Sequence, residues 1–261
     1  MRIMKGVMVD MDVLSLIQEF NVNINNVVFG GVVGSRGFHL EDDFSDIDIH
    51  TYVMPTIHEL IYNRRRHNFF MKNNMEIYFD DVRRIVYNLQ LGNISQIAVL
   101  FCRDLYTNPK FKTLCDYLIK NREQISQVNL PAMFTWSKNL FEKDMGWLQT
   151  YKTDEFCYQQ FGYNCKRAFQ AIYPIVVMTR YIINLHYRVK NPLETALNCS
   201  DIKEDLLKIK RGEYSLEEIN KLAESKYQIF SQSKLPWSHG DIKVEEVQRQ
   251  VEQEIIKFIQ N

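Results

Sequence analysis

The sequence predicts an α+β protein: a small mixed sheet with flanking helices, followed by an all-helical C-terminal region. Three observations predict it. Val27 to Ser35 (VVFGGVVGS) is β-branched and punctuated by glycine, the pattern of a buried strand running into a tight turn. Ser45 to Met54 (SDIDIHTYVM) alternates Asp46, Asp48 and His50 against Ile47, Ile49 and Thr51, so both aspartates project from one face of a strand. Beyond about residue 125 the strand-like runs fade and apolar residues recur at helical spacing to the end of the chain. These features divide the chain into an α/β unit over residues 1–125 and a helical unit over 126–261.

The elements follow in order. Asp10 to Phe20 carries Val13, Leu14, Ile17 and Phe20 at helical spacing, and Asp10 and Asp12 read as structural acids that point apart on it. Asn21 to Asn26 is an asparagine-rich break. Met75 to Phe79 (MEIYF) reads as a third strand. Val82 to Cys102 is amphipathic, with a helix break near Gly92. Gly212 suits a helix C-terminus, and Ser215 with Glu218 spells a capping box opening the next helix. Pro236 breaks the segment Ser233 to His239, and Val244 to Ile259 closes the chain as an amphipathic helix.

Composition excludes several classes. Lys plus Arg is 32 and Asp plus Glu is 32, and neither half of the chain is a basic arm, so any nucleic-acid contact has to be local. The five cysteines, Cys102, Cys115, Cys157, Cys165 and Cys199, have no CxxC spacing, which points to reduced, buried thiols rather than zinc or disulfides. The opening MRIMKGVMVDMD meets acids before any long apolar run, so no secretory leader is expected. Ala171 to Ile183 is too short and interrupted to span a bilayer and reads as a buried helix. No membrane partner is expected, and the expected location is the cytoplasm.

The chemistry concentrates in Gly34 to Ile49 (GSRGFHLEDDFSDIDI). A Gly-Ser turn after a strand offers backbone N–H groups to phosphate oxygens. Asp46 and Asp48, at i and i+2 on a strand, suit hard cations such as Mg²⁺ or Mn²⁺. A triphosphate held by the turn would share such ions with the carboxylates, as in two-metal phosphoryl transfer. That chemistry asks for a third carboxylate from a neighbouring strand: Glu76 is the first choice, with Asp80 and Asp81 as alternatives. Glu41, Asp42 and Asp43 read as a solvated loop. No Lys or Arg lies between Arg36 and Arg64, so this stretch carries a negative field that bound cations would relieve.

Gly34-Ser35-Arg36 followed by Ser45-Asp46-Ile47-Asp48 resembles the signature of the DNA-polymerase-beta-type nucleotidyltransferases. More narrowly it resembles the YcgL or RlaP type, the "RNA repair pathway DNA polymerase beta family". The likeness extends to Val82–Phe101, Tyr163–Phe169, Leu206–Ile219 and Ser233–Pro236. It implies a nucleotidyltransferase-fold sheet, a cleft closed by the helical unit, Gly34 and Ser35 on the NTP, and metal on Asp46 and Asp48, with Glu76 kept as the third carboxylate that the chemistry asks for. Arg36 would lie near the phosphates or face solvent. Lys166 would reach the triphosphate across the cleft or stay an exposed helical lysine. The chain departs from the family pattern at His39 (glycine in the family), Gln170 (histidine), Ile94 (proline) and Arg84-Ile85 (Lys-Phe).

The resulting expectation is a metal-dependent enzyme moving a nucleoside monophosphate from an NTP to an acceptor hydroxyl. The acceptor is RNA, a tRNA or a broken end; a protein hydroxyl is the close variant. A non-catalytic nucleotide-binding protein and an oligonucleotide synthase working on NTP alone are the other readings. Aromatics such as Phe134, Trp136 and Phe141 read mostly as core, and Arg64-Arg65-Arg66 as a solvated turn or an RNA-phosphate contact.

Overall fold

The computed structural model describes residues 12–20, 22–41, 45–150, 155–199, 201–236 and 242–260. Asp10, Asp42, Asp43 and residues 237–239 lie outside the described residues, as does the side chain of Cys157.

A five-stranded mixed sheet has the order β3-β4-β2-β1-β5. Its strands are β1 (Val27–Val33), β2 (Ile47–Val53), β3 (His67–Lys72), β4 (Met75–Asp81) and β5 (Leu105–Thr107). β1 pairs antiparallel with β2 and with β5, β2 runs parallel to β4, and β3 pairs antiparallel with β4. The helices of the first half are α1 (Val13–Gln18), α2 (Gly34–Gly37), α3 (Ile57–Ile61), α4 (Arg84–Leu91), α5 (Ile94–Ile97), α6 (Lys112–Lys120) and α7 (Arg122–Ser126). Then come α8 (Leu130–Gly146), α9 (Glu155–Phe161), α10 (Cys165–His186), α11 (Pro192–Asn198), α12 (Lys203–Arg211), α13 (Leu216–Gln232) and α14 (Val244–Gln260). The fold is thus α+β, a mixed sheet with flanking helices and a helical C-terminal region.

Each strand of the expected trio forms. The sequence had shown no signal for β3 and β5. β3 is exposed along its whole length and so has no apolar alternation to read. β5 is three residues long, too short to show a period.

The two sheet faces differ. Ile49, Ile77, Phe79 and Val32 form a small cluster under Val13 and Ile17 of α1. On the other face Phe29 and Tyr52 join a larger core with Leu89, Phe141, Tyr163, Tyr181, Phe230 and Val247. Side chains from both sides of residue 125 therefore share one cluster. Each buried Leu, Ile or Phe contributes about 1.5–3 kcal/mol of transfer free energy. α10 is the helix among the described residues long and apolar enough to cross a bilayer, but over half of its apolar window is buried, including Ile172, Ile175 and Tyr181. It is the helix around which α8, α11, α12 and α13 pack.

Asparagine caps organise the chain: Asn23, Asn93, Asn108, Asn129 and Asn164 each accept a backbone N–H at a helix start. Asp12 does the same for α1, a structural role. The Ser215–Glu218 capping box forms as spelled. Gly92 ends α4 at φ +64, and a side chain there would strike the Met133 backbone. Cys102, Cys115, Cys165 and Cys199 are free and buried.

Candidate active site

The site is built where β1 ends beside β2, which has β4 on its other side. Val33 is the register partner of Asp48, and Asp48 is the register partner of Glu76. Partners across a ladder project from the same face, so Asp48 and Glu76 stand side by side. Asp46, two residues earlier, approaches the same edge. Gly34 follows at φ +63, and a Cβ on it would overlap Asp48 Oδ2. Only glycine supplies both the left-handed backbone and the room for that carboxylate.

Burial raises the Asp48 carboxyl to about 6, with Glu76 and Asp46 pushing it further up and Lys166 and Lys210 pulling it down. The carboxylates therefore outweigh the cations that face them. Lys166 Nζ, on α10, lies 4.0 Å from Asp46 Oδ2, with 64% of the lysine and 44% of the aspartate side chain exposed. A pair that open is weak, leaving the ammonium able to move.

The turn is pinned from the far side of the chain. Lys210 Nζ on α12 donates to Ser35 Oγ (2.9 Å), Ser45 Oγ (2.8 Å) and the Leu40 carbonyl (3.0 Å). It also lies 5.6 Å from the centre of the Phe169 ring of α10. Arg36 Nη2 donates to the Ser45 carbonyl at 2.7 Å, and its Nε is shared between the Ser45 and Asp46 carbonyls. Arg36 thus ties the turn to the backbone that carries Asp46. Sequence reasoning missed Lys210. The signal was there: it lies three and four residues after Leu207 and Leu206, a lysine set in the buried stripe of an amphipathic helix.

Asp80 and Asp81, the alternatives to Glu76, are engaged elsewhere. Asp80 is fully buried between His50 Nε2 (2.8 Å) and His67 Nδ1 (2.5 Å), with Arg84 Nε at 3.2 Å. Burial raises its carboxyl, but His50, His67 and Arg84 outweigh that and hold it below the usual range. Asp81, also fully buried, binds the backbone N–H and guanidinium of Arg83. Asp80 is the register partner of Tyr52, four residues along β2 from Asp48, or about 13 Å away.

The departures also have a structural reading. His39 sits at φ +59, a left-handed position glycine takes freely; a non-glycine residue there costs on the order of 1 kcal/mol. Arg84 serves Asp80, and Gln170 lies within 3.5 Å of Arg167. Ile94 opens α5 behind the Asn93 cap.

Among the described residues no three His, Cys, Asp or Glu side chains form a ready metal-ligand set. Asp48 and Glu76 share one face of the sheet, and Asp46 lies just ahead of β2 without closing round a common point with them. Their chemistry nevertheless fits a hard divalent cation: the donors are all oxygen, and the Asp48 carboxyl, raised first by burial and then by Glu76 and Asp46, lies among negative charges that a cation would neutralise.

No family model matches the chain, and no curated protein does. Among solved structures it is similar to a nucleotidyltransferase-like protein from Exiguobacterium sibiricum 255-15, over 96% of this chain and 91% of that one, at 12% identity and a TM-score of 0.31. An overlap that loose carries no argument about the site.

Proposed function

We propose that this chain is a nucleotidyltransferase that moves a nucleoside monophosphate from an NTP to an acceptor hydroxyl and releases pyrophosphate, with RNA as acceptor. One observation carries the reading: Asp48 stands beside Glu76 next to a Gly-Ser turn, and Glu76 and Asp46 both act on it as negative neighbours, more strongly than the facing lysines offset.

Asp46, Asp48 and Glu76 would hold Mg²⁺ or Mn²⁺, which when bound would neutralise the triphosphate and favour departure of pyrophosphate. The chain's own groups supply the rest. Ser35 and the turn backbone orient the triphosphate. Lys210 and Arg36 keep that turn at a fixed distance from the carboxylates. Lys166 reaches the phosphates as a mobile point charge. Glu76 takes the proton of the acceptor hydroxyl as its oxygen bonds the α-phosphorus and the bond to the β-phosphate oxygen breaks.

The test incubates wild type and an Asp46→Ala, Asp48→Ala double variant with Mg²⁺, each NTP, and total RNA or total protein. Circular dichroism checks that the variant is folded. Pyrophosphate release and labelled RNA from wild type alone support the proposal. Equal release from both proteins overturns it, and label in protein alone moves the acceptor from RNA to a protein hydroxyl.

A further inference from the structure

The sheet face that carries the carboxylates continues past them. In register, Asp48, His50 and Tyr52 of β2 line up with Glu76, Tyr78 and Asp80 of β4, and these with Met71, Phe69 and His67 of β3. The Tyr52 end is buried in the main core. The β3 side is open: Phe69 is 45% exposed, Met71 62%, and Tyr78 half-buried. The Phe69 and Tyr78 rings lie 4.9 Å apart, with His67 stacked beyond Tyr78 at 6.0 Å.

The track ends at a basic cleft lined by Thr56, Arg64, Arg65, Arg66 and His67. Its backbone is anchored, since the Arg64 carbonyl accepts from Arg83 Nη2 and Arg66 pairs with Glu59 at 2.9 Å. That pair cancels one arginine against the cleft's acid. Arg64 and Arg65 remain exposed, with Arg64 over the exposed Tyr62 ring.

We propose that this face is the acceptor track. A single-stranded polynucleotide would lie with its end at the carboxylates, bases against Tyr78 and Phe69, and phosphates at Arg64 and Arg65. The proposal rests on the nucleotidyl-transfer reading and names where its acceptor binds. Three features favour a nucleic acid. Aromatic faces exposed on an open edge strand stack any base. Exposed arginines complement phosphate. The aromatics begin two residues from Glu76, so a strand bound there delivers its end to the reacting centre. From Glu76 to Asp80 the face runs about 13 Å, the length of roughly four stacked nucleotides at about 3.4 Å each.

The probe is a short, labelled single-stranded oligouridylate, with binding read by fluorescence anisotropy on the intact protein without NTP. Wild type is compared with Phe69→Ala and with Arg64→Ala, Arg65→Ala, both changed at exposed positions and both checked by circular dichroism. The expected result is binding by wild type and weakening of roughly 10-fold or more in Phe69→Ala. The arginine variant should lose about 0.7 of log–log salt slope per lost phosphate contact. No binding by wild type, or binding unchanged in both variants, overturns the proposal. So does a dimer in sedimentation that Phe69→Ala dissociates, because the edge would then belong to a second copy. The two readings fail separately: an absent oligouridylate complex leaves pyrophosphate release intact, whereas an absence of release from every NTP leaves oligouridylate binding intact.

Discussion

Two carboxylate clusters occupy opposite ends of the same two strands, and they are built on opposite electrostatic terms. At one end Asp48 is half-buried beside Glu76 and Asp46, and its carboxyl rises to about 6. At the other Asp80 is fully buried, yet His50, His67 and Arg84 hold it below the ordinary 3.8. Burial pushes both acids the same way; partners decide the outcome. A buried acid with its cations supplied by the chain is part of the fold. An acid whose neighbours repel it costs stability, and such frustration is kept where it serves a ligand.

The contrast can be broken by experiment. The largest effect is expected for Glu76→Gln, which should lower transfer on the order of 10²–10³-fold with the melting temperature nearly unchanged. A variant that stays active would remove Glu76 from the site. Next is Asp80→Ala, expected to cost on the order of 3 kcal/mol in urea unfolding, because it leaves His50 buried without its partner. The Asp80 proton also carries a sign. Its folded carboxyl titrates below the unfolded one, so its stabilisation is present above the ordinary 3.8 and is lost as pH falls further. Asp80→Asn should flatten that acid limb of the stability curve.

Asp48 has the opposite sign. The folded group keeps its proton up to about 6 while the unfolded chain releases it near 3.8, so stability falls as pH rises through that window. Without metal, Asp48→Asn should therefore stabilise the protein above pH 6 by on the order of 1–2 kcal/mol, a figure discounted for the group's partial exposure. Mg²⁺ should raise the melting temperature of wild type and not of this variant; an equal rise in both would place the ion elsewhere. The smallest effect is His67→Ala. His67 is about half exposed, so its bond to Asp80 should be worth less than about 1 kcal/mol, and a cost matching that of Asp80→Ala would show that the outer histidine is as essential as the inner acid.

Much of this was legible in residue order. The alternation around Asp46 and Asp48 and the Gly-Ser turn are local patterns, and local patterns follow from side-chain periodicity and backbone freedom. The capping box at Ser215 and Glu218 forms for the same reason. β3 was illegible because an edge strand exposed on both faces has no pattern to reveal. Lys210 was overlooked because its partners, Ser35, Leu40 and Ser45, lie 165 or more residues away. Arg36 stood open between phosphate and solvent; its bonds to the Ser45 and Asp46 carbonyls depend on a turn that only the folded chain brings round.

By itself the sequence determined the α+β order of elements, the alternating strand that carries Asp48, and the Gly-Ser turn that follows the first strand. Periodicity and left-handed backbone are properties of neighbouring residues, so they need no fold to be read. Only the tertiary structure decided which acid faces Asp48. Strand register set Glu76 opposite it and sent Asp80 and Asp81 to cations of their own, because the sign of an acid's environment depends on charges that the chain brings together from distant positions.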